Sequence, residues 1–379
     1  MTSAGWQTLA VAGSVGAAGW WFGYEEGVLL GAFGLLAVVT ALAWAPGRLR
    51  VSGERRLDPE RVARGAPAEG VITLVNHGRR RLGRVRLEDR CGREPRPVET
   101  LALPPATPRE VRYAVPTDRR GRIAVGPLVH VRTDPLALAR RTRTLAGHDS
   151  ILVRPRVHPL PLLPAGRAHH IEGPTSATAD GGSQTFHALR EYVLGDDLRH
   201  VHWRSTARTG ELMVRQMVDV SLPRTSVVLD TREVAYGNDV EAFELAVETA
   251  ASVVSAIAGH GFPVAVVTDS GTRLGVPGGR DTTALLDLLA VVDTTPAGSA
   301  AAFEALERER ADGTLIVVTG GEDPSGSAPP ARVAARFERV LMVVCGSAVP
   351  ASAGPGGIPV LHATNEQTLI AGWHREVAR

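Results

Sequence analysis

The chain contains no lysine: all 42 basic residues among its 379 are arginine. That absence excludes a Walker A phosphate loop, whose lysine reaches the β- and γ-phosphates. So uniform a loss reads as the codon bias of a GC-rich genome, which lowers the weight of any single arginine. Cysteine is scarce as well. Cys91 and Cys345 lie far apart without metal-ligand spacing, which excludes a disulfide scaffold or cysteine zinc site and fits a reducing compartment. Aromatics make up only 4% of the chain, and Tyr113 is the only one between residues 51 and 165. That region therefore lacks the stacking platforms that single-stranded nucleic acid requires, and no nucleic acid is expected as a partner. No serine or cysteine stands in a nucleophile elbow.

Charge is present but unevenly placed. From Arg48 to Leu160 there are 25 arginines against 12 acids, a net +13. From Pro161 to the end there are 17 against 26, a net −9, and Glu25 and Glu26 bring the total to +2. A basic block followed by an acidic one argues for two bodies with different neighbours.

Two uncharged runs open the chain, about residues 6–24 and 27–45. Each matches the ~20 residues that cross a ~30 Å hydrocarbon core. Trp20, Trp21 and Tyr24 at one end and Trp44 at the other suit interfacial belts. The first run is rich in Gly, Ala and Ser, which suits close helix packing. A cleaved signal peptide is disfavoured, because the start has no basic n-region and a second span follows at once. Arg48, Arg50, Arg55 and Arg56 follow the second span, while the connector carries only acids. The positive-inside rule then puts the turn outside and both termini in the cytoplasm, in a two-span protein of the plasma membrane.

Residues 1–47 are thus expected as a transmembrane hairpin, and 48–160 as a basic domain. The latter shows short alternating runs at Gly70–Asn76, Val85–Glu88, Glu110–Val115, Ile123–Val125 and Leu128–Arg132. Divided by Pro, Gly and Asn turns, these read as an all-β, immunoglobulin-like sandwich. Its charge is best explained by anionic lipid beside the anchor, or by plain solvation. A Pro/Gly-rich stretch from His158, about 161–183, reads as an extended, partly mobile linker. Its His169-His170 pair lacks further ligands and makes no metal site.

From residue 222 to 379 the pattern becomes alternating strands and helices. Apolar runs at Thr225–Asp230, Phe262–Thr268, Thr314–Thr319 and Val340–Cys345 are separated by helical periodicity, as in Val240–Gly259. That predicts a doubly wound, mostly parallel sheet covered on both faces. The arrangement resembles a von Willebrand factor A domain, in which the first strand ends in a D-x-S-x-S metal motif. Here Asp230 is the one retained position; Arg232 and Val234 replace the serines, and Thr319-Gly320-Gly321 lacks the later acid. Too few oxygen ligands remain for a hard divalent cation, so no metal or other cofactor is expected. Asp269 and Asp323, near strand ends, are the substitutes to consider.

Between linker and sheet, about 184–221, lies REYVLGDDLRHVHWRSTARTGELMVR. Apolar positions at Phe186, Leu189, Tyr192 and Val193 predict a short helix or turn ended by Gly195. Asp196 and Asp197 stand where a second helix would need an N-cap, and Thr209-Gly210 where it would stop. Glu211–Val218 reads as a strand. Adjacent carboxylates at a helix start diverge, and His200 and His202 point to nearly opposite sides of a helix, so no catalytic constellation forms. What remains is an ionic and aromatic surface, with Glu191–Arg199 or Asp197–Arg204 as candidate pairs and Trp203 as a desolvated anchor.

The pattern E-Y-x-x-G-D-D-x-R-x-V-x-W-R-x-T-A-R-x-G-x-L-x-V-R resembles the diagnostic motif of the bacterial membrane family called domain of unknown function 58. It is carried here by Glu191, Tyr192, Gly195, Asp196, Asp197, Arg199, Val201, Trp203, Arg204, Thr206, Ala207, Arg208, Gly210, Leu212, Val214 and Arg215. Arg119-Arg120-Gly121, Asp134-Pro135 and Val153-Arg154-Pro155-Arg156-Val157 match as well, while Leu136-Ala137-Leu138 replaces the usual Phe-Gly-Leu. The resemblance implies a membrane-anchored adaptor for a MoxR-type AAA+ ATPase, engaged in complex assembly or envelope-related maturation. Its interaction residues would be Glu191, Tyr192, Gly195, Asp196, Asp197, Arg199, Trp203, Arg204, Arg208 and Arg215. The alternatives are a membrane-bound enzyme acting on envelope components and a metal-dependent adhesion module.

Overall fold

The computed structural model of the chain describes residues 1–44, 50–83, 85–92, 94–99, 102–163, 184–193, 201–219, 224–269, 271–296, 301–308, 313–346 and 354–378. The chain divides into two compact units, Met1–Arg154 and Pro155–Arg379.

The first unit begins with a helical hairpin, α1 (Ser3–Phe22) and α2 (Glu25–Trp44). Gly23 ends α1 at φ 73°, a left-handed conformation that favours glycine, and donates to the Gly19 carbonyl. Glycine also sets the spacing between the helices. A Cβ on Gly31 would stand 2.6 Å from Gly16 Cα, and one on Gly19 2.6 Å from the Val28 nitrogen. Small residues at these positions let the two backbones approach closely. Large apolar side chains point outward instead, among them Trp20, Trp21, Leu29, Leu30 and Phe33. By length and apolarity α2 is a candidate membrane span, only 17% buried.

Among the described residues, ten strands follow: β1 (Val51–Asp58), β2 (Arg61–Ala63), β3 (Glu69–Asn76), β4 (Arg86–Cys91), β5 (Glu94–Glu99), β6 (Arg109–Ala114), β7 (Gly121–Val125), β8 (Leu128–Thr133), β9 (Arg140–Ala146) and β10 (Asp149–Arg154). One sheet runs β1-β3-β6 and a second β2-β10-β7-β4-β8-β9, with β5 also on β4. Val51, Ile72 and Leu74 of the first sheet share a core with Leu87, Val98 and Leu128 of the second. Several strands escaped the sequence reading because their polar faces dominate. β1 carries Glu54, Arg55 and Arg56, and β9 is exposed at its first five positions. The Arg55 side chain is nevertheless fully buried, at 2.8 Å from Asp89 and from Asp149, and Tyr113 donates to Asp89 at 2.6 Å.

The start of α1 is tied to the β8–β9 connection. Thr2 donates from its nitrogen to the Leu138 carbonyl at 3.0 Å and from Oγ1 to that of Ala137 at 2.7 Å. Leu138 and Ala139 join Val38, Ala41 and Leu9 of the helices in one apolar cluster.

The second unit contains β11 (Gln184–Glu191), α3 (Trp203–Thr209), β12 (Met213–Asp219), β13 (Thr225–Leu229), α4 (Glu233–Tyr236), α5 (Val240–Gly259), β14 (Val264–Thr268), β15 (Arg273–Val276), α6 (Thr283–Val291), α7 (Ala301–Glu307), β16 (Thr314–Gly320), α8 (Ala331–Ala334), β17 (Arg339–Cys345), β18 (Val360–Ala363) and α9 (Glu366–Val377). Six strands form one sheet in the order β15-β14-β13-β16-β17-β18, parallel except for β15 at the edge. Alternate strand residues divide between two cores. Val227, Leu229, Ile316 and Val318 face α5 and Trp373, while Val228, Leu315 and Val317 face Leu306 and Val333. Burial on both sides explains the unbroken apolar runs, and each such side chain contributes ~1.5–3 kcal/mol. The helix α5 also passes the length and apolarity test for a membrane span, but it is 78% buried and belongs to this core.

The stretch from His158, read as linker, packs onto this unit through residue 163. Leu160 is in the core, with Leu162 and Leu163 against it, and Trp373 Nε1 donates to the Pro161 carbonyl at 2.8 Å. Proline density disguised an apolar strap. His158 is buried beside Glu248 of α5 at 3.1 Å and near Glu366 of α9 at 3.3 Å. His169 and His170 lie outside the described residues.

Candidate functional site

Two constellations in the second unit combine charge with placement. The first lies at the carboxyl ends of β13 and β16, where parallel sheets commonly hold their ligands. Asp230 follows β13 and is 2% exposed. Its Oδ1 accepts from Arg232 Nε at 3.1 Å and its Oδ2 from Nη2 at 2.9 Å, a bidentate fork. Arg232 Nη1 reaches Asp323 Oδ2 at 2.8 Å, and Nη2 reaches Ser327 Oγ at 2.8 Å. Thr319, at the end of β16, donates to Asp230 Oδ2 at 2.7 Å, and Ser327 Oγ donates to the same oxygen. The loop closes tightly because residue 326 is glycine; a Cβ there would stand 2.3 Å from Arg232 Nη1 and from Asp323 Oδ2.

The electrostatics follow from that geometry. Burial disfavours the Arg232 cation, but hydrogen bonds to Asp230 and Asp323 outweigh it and raise its pKa above the usual arginine value. Burial would likewise raise Asp323, yet hydrogen bonds from Arg232, Ser325 and the Gly326 nitrogen hold it below the ordinary carboxylate range. Two carboxylates and the Ser327 hydroxyl thus converge on one cation, a guanidinium, while the Thr319 hydroxyl supports Asp230 from the other side of the network. The donor set does not fit a divalent metal while Arg232 stands within it. Among the described residues no group of three His, Cys, Asp or Glu could hold a metal ion. Of the two substitutes considered, Asp323 joins Asp230, whereas Asp269 does not enter this set of contacts; it is buried, with its nitrogen donating to the Leu229 carbonyl at 3.2 Å. Sequence reasoning found Asp230 and named Arg232 but missed Ser327, which lies 97 positions from Asp230.

The second constellation is the charged motif, and here the structure corrects several expectations. Phe186–Leu194 was expected as helix or turn, yet Gln184–Glu191 is a strand, paired antiparallel with β12 and bulged between Phe186 and Ala188. Four apolar residues in so short a window fit either period, and pairing with Met213–Asp219 decides for the strand. The helix begins later than expected. His202 is its N-cap, its side chain accepting from the Ser205 nitrogen at 3.3 Å, so the capping role given to Asp196 and Asp197 falls to an imidazole. Gly210 ends the helix at φ 80°, where a left-handed residue was expected.

Gly195, Asp196, Asp197, Arg199 and His200 lie outside the described residues, and with them both candidate ion pairs. Arg215 stands on β12 opposite Leu189. Val201 and Val214 pair across the hairpin and are buried, and Met213 donates its nitrogen to Thr206 Oγ1 at 3.0 Å. That side of α3 therefore faces β12. Trp203, the first residue of α3, is 67% exposed, so among the described residues it is no desolvated anchor. Arg204 and Arg208 are exposed on the same short helix, and Val193 and Leu212 are exposed at 63% and 41% beside it in sequence. Glu191 is exposed and Tyr192 half-buried, with the Tyr192 nitrogen donating to the Leu212 carbonyl at 2.8 Å.

Residues 188–345 match the family described as Protein of unknown function DUF58, a segment holding both constellations. No curated protein matches the chain. Among solved structures, an alkylpurine DNA glycosylase AlkC of Pseudomonas fluorescens bound to DNA containing an abasic site analog is 14% identical, with a TM-score of 0.22, and the match covers 31% of this chain and 33% of that one. A domain of a putative cell surface protein from Methanosarcina acetivorans is 14% identical over 27% of this chain and 90% of that one, with a TM-score of 0.18. The sporulation control protein Spo0M of Bacillus subtilis is 12% identical over 27% and 49%, with a TM-score of 0.16. The chain spans 33% of the glycosylase and 15% of an Erythrobacter marinus β-glucosidase, so these likenesses concern parts of larger proteins.

Proposed function

We propose that this protein is a non-enzymatic, membrane-anchored adaptor that presents a metal-independent von Willebrand A-like module to a partner in the cytoplasm. The hairpin of α1 and α2 crosses the bilayer, with its Gly23-Tyr24 turn outside and both termini inside. The β-rich part of the first unit is an immunoglobulin-like sandwich beside the membrane, with its basic surface toward anionic lipid.

One observation carries the adaptor reading: Trp203 is 67% exposed on α3, between buried Val201 and the exposed arginines 204 and 208. A large aromatic flanked by arginines is the composition of a binding hot spot, and its arginines favour an acidic partner face. The Arg232 cluster supports the metal-independent half, because an internal cation already satisfies Asp230. It also disfavours the metal-dependent adhesion alternative.

The partner class follows from the family resemblance, a MoxR-type AAA+ ATPase. The test is capture of a MoxR-type ATPase from the same organism by the detergent-solubilised full chain, with and without ATP. Trp203→Ala and Arg204→Ala should weaken capture while leaving thermal unfolding in place. Absence of enrichment in both nucleotide conditions overturns the partnership, and undiminished capture by both variants removes α3 from the interface.

A further inference from the structure

The connection Asp134–Ala139 between β8 and β9 has a shape and a position that its sequence alone does not explain. Asp134 is buried and closes the turn on itself, accepting from the Leu136 nitrogen at 2.9 Å and from the Ala139 nitrogen. Ala137 adopts φ 55°, a conformation that side-chain-bearing residues rarely take. The result is a fixed loop that points Leu136 outward, 60% exposed, while Leu138 is buried against the helical hairpin. A single exposed leucine is ordinary on a soluble surface. This one is distinguished by where its loop sits.

Leu138 and Ala139 share a cluster with Val38 and Ala41 of α2, three to six residues before Trp44 ends that helix. At ~1.5 Å per residue the loop therefore reaches ~5–9 Å along α2 from its tryptophan end. Interfacial elements bury their apolar side to a similar ~5–10 Å. The ribbon behind the tip is cationic by register. Arg132 stands directly opposite Arg141, and His130 opposite Arg143. Like charges paired across strands are unfavourable unless an anion lies between them. Arg141 is exposed, whereas Arg140 is already engaged with Glu88.

We propose that the β8–β9 ribbon is a second membrane contact: its loop enters the interfacial layer with Leu136 toward the acyl chains, and Arg132 and Arg141 hold phosphates of anionic lipid headgroups. The proposal rests on the reading that α1 and α2 span the bilayer, and it adds what that reading lacks, a fixed stance of the β-rich body on the membrane. His130 is consistent with a cation-rich ribbon, since burial first and then Arg132 and Arg143 lower its pKa.

The test uses the full chain in nanodiscs of phosphatidylcholine with or without phosphatidylglycerol. An environment-sensitive fluorophore is attached at Leu136→Cys, with Val39→Cys on α2 and Thr107→Cys elsewhere in the unit as controls. Cys91 and Cys345 are buried and escape labelling. Labels at 136 and 39 should be blue-shifted and lose emission to lipid-borne nitroxides, and the label at 107 should not. Omitting phosphatidylglycerol, or introducing Arg132→Gln with Arg141→Gln, should reduce quenching at 136 and leave it unchanged at 39. Quenching at 39 with none at 136 overturns the loop contact while the spanning reading stands. No quenching at 39 overturns the spanning reading and the proposal with it. Quenching at 136 that ignores both lipid charge and the arginine variants overturns the headgroup role.

Discussion

Replacing Arg232 by alanine leaves Asp230 without its fork while it remains 2% exposed. Breaking a buried pair by removing one member costs ~3–5 kcal/mol, chiefly for the stranded charge. Here the stranded carboxylate keeps three donors: Thr319 Oγ1, Ser327 Oγ and the backbone nitrogen of residue 232. Asp323 is 33% exposed and is screened by water, so its loss adds under ~1 kcal/mol. The low end, ~3 kcal/mol, is the expected cost. For a unit the size of Pro155–Arg379 that corresponds to ~6–12 °C in Tm. Thermal unfolding of the detergent-solubilised chain measures it, and hydrogen exchange at β13 and β16 amides assigns the transition to this unit. The same geometry makes a second demand. Arg232→Ser vacates the point on which two carboxylates and the Ser327 hydroxyl converge, an oxygen set suited to a hard cation. Millimolar-range Mn²⁺ should then recover part of the lost Tm in Arg232→Ser, and none when Asp230→Asn is added. A Tm for Arg232→Ala within ~3 °C of the parent, or no Mn²⁺ response in Arg232→Ser, would refute the view that the guanidinium acts as the site's cation.

Other consequences follow from buried charge and close packing. The hydrogen bond to Glu248, opposed by burial and helped by the charges of Glu248 and Glu366, raises the His158 pKa. A raised folded-state value means its stabilisation is fully present below about pH 6.5 and is lost as pH climbs through the folded pKa. Urea midpoints should therefore fall from about pH 6 to about pH 8.5, and Glu248→Gln should flatten the slope. In the first unit, Arg55→Met strands Asp89, whose side chain is fully buried, and should cost ~3–5 kcal/mol in chemical denaturation. Adding Asp89→Leu should return much of that loss, because an apolar pair needs no solvation. Gly31→Leu drives a side chain into the Gly16 backbone, where even a Cβ would lie 2.6 Å from Gly16 Cα. Spin labels at Val11→Cys and Leu35→Cys should then report a longer, broader distance between α1 and α2, while Val39→Leu at an exposed position of the same helix serves as comparison.

What was legible in this sequence depended on whether one element could reveal itself alone. The β13, β14, β16 and β17 strands could, because burial on both faces writes unbroken Val, Leu and Ile runs that no turn or exposed helix would carry. β9 could not: Arg140, Arg141 and Arg143 make it read as solvated surface, and only pairing with β8 makes it a strand. The strap at Leu160–Leu163 and the strand at Gln184–Glu191 were misread for the same reason, since tertiary partners, not local periodicity, determine them. The Arg232 cluster shows the limit most sharply. Its chemistry was visible in part, because Asp230 stands where a parallel strand ends and Arg232 follows two residues on. Its completion depends on Thr319 at the end of β16 and on Asp323 and Ser327, which a single glycine-bearing loop brings within reach. Only the fold shows that the oxygens around Asp230 already hold a cation, which is why Arg232 is the position where substitution should open this cluster to an added metal ion.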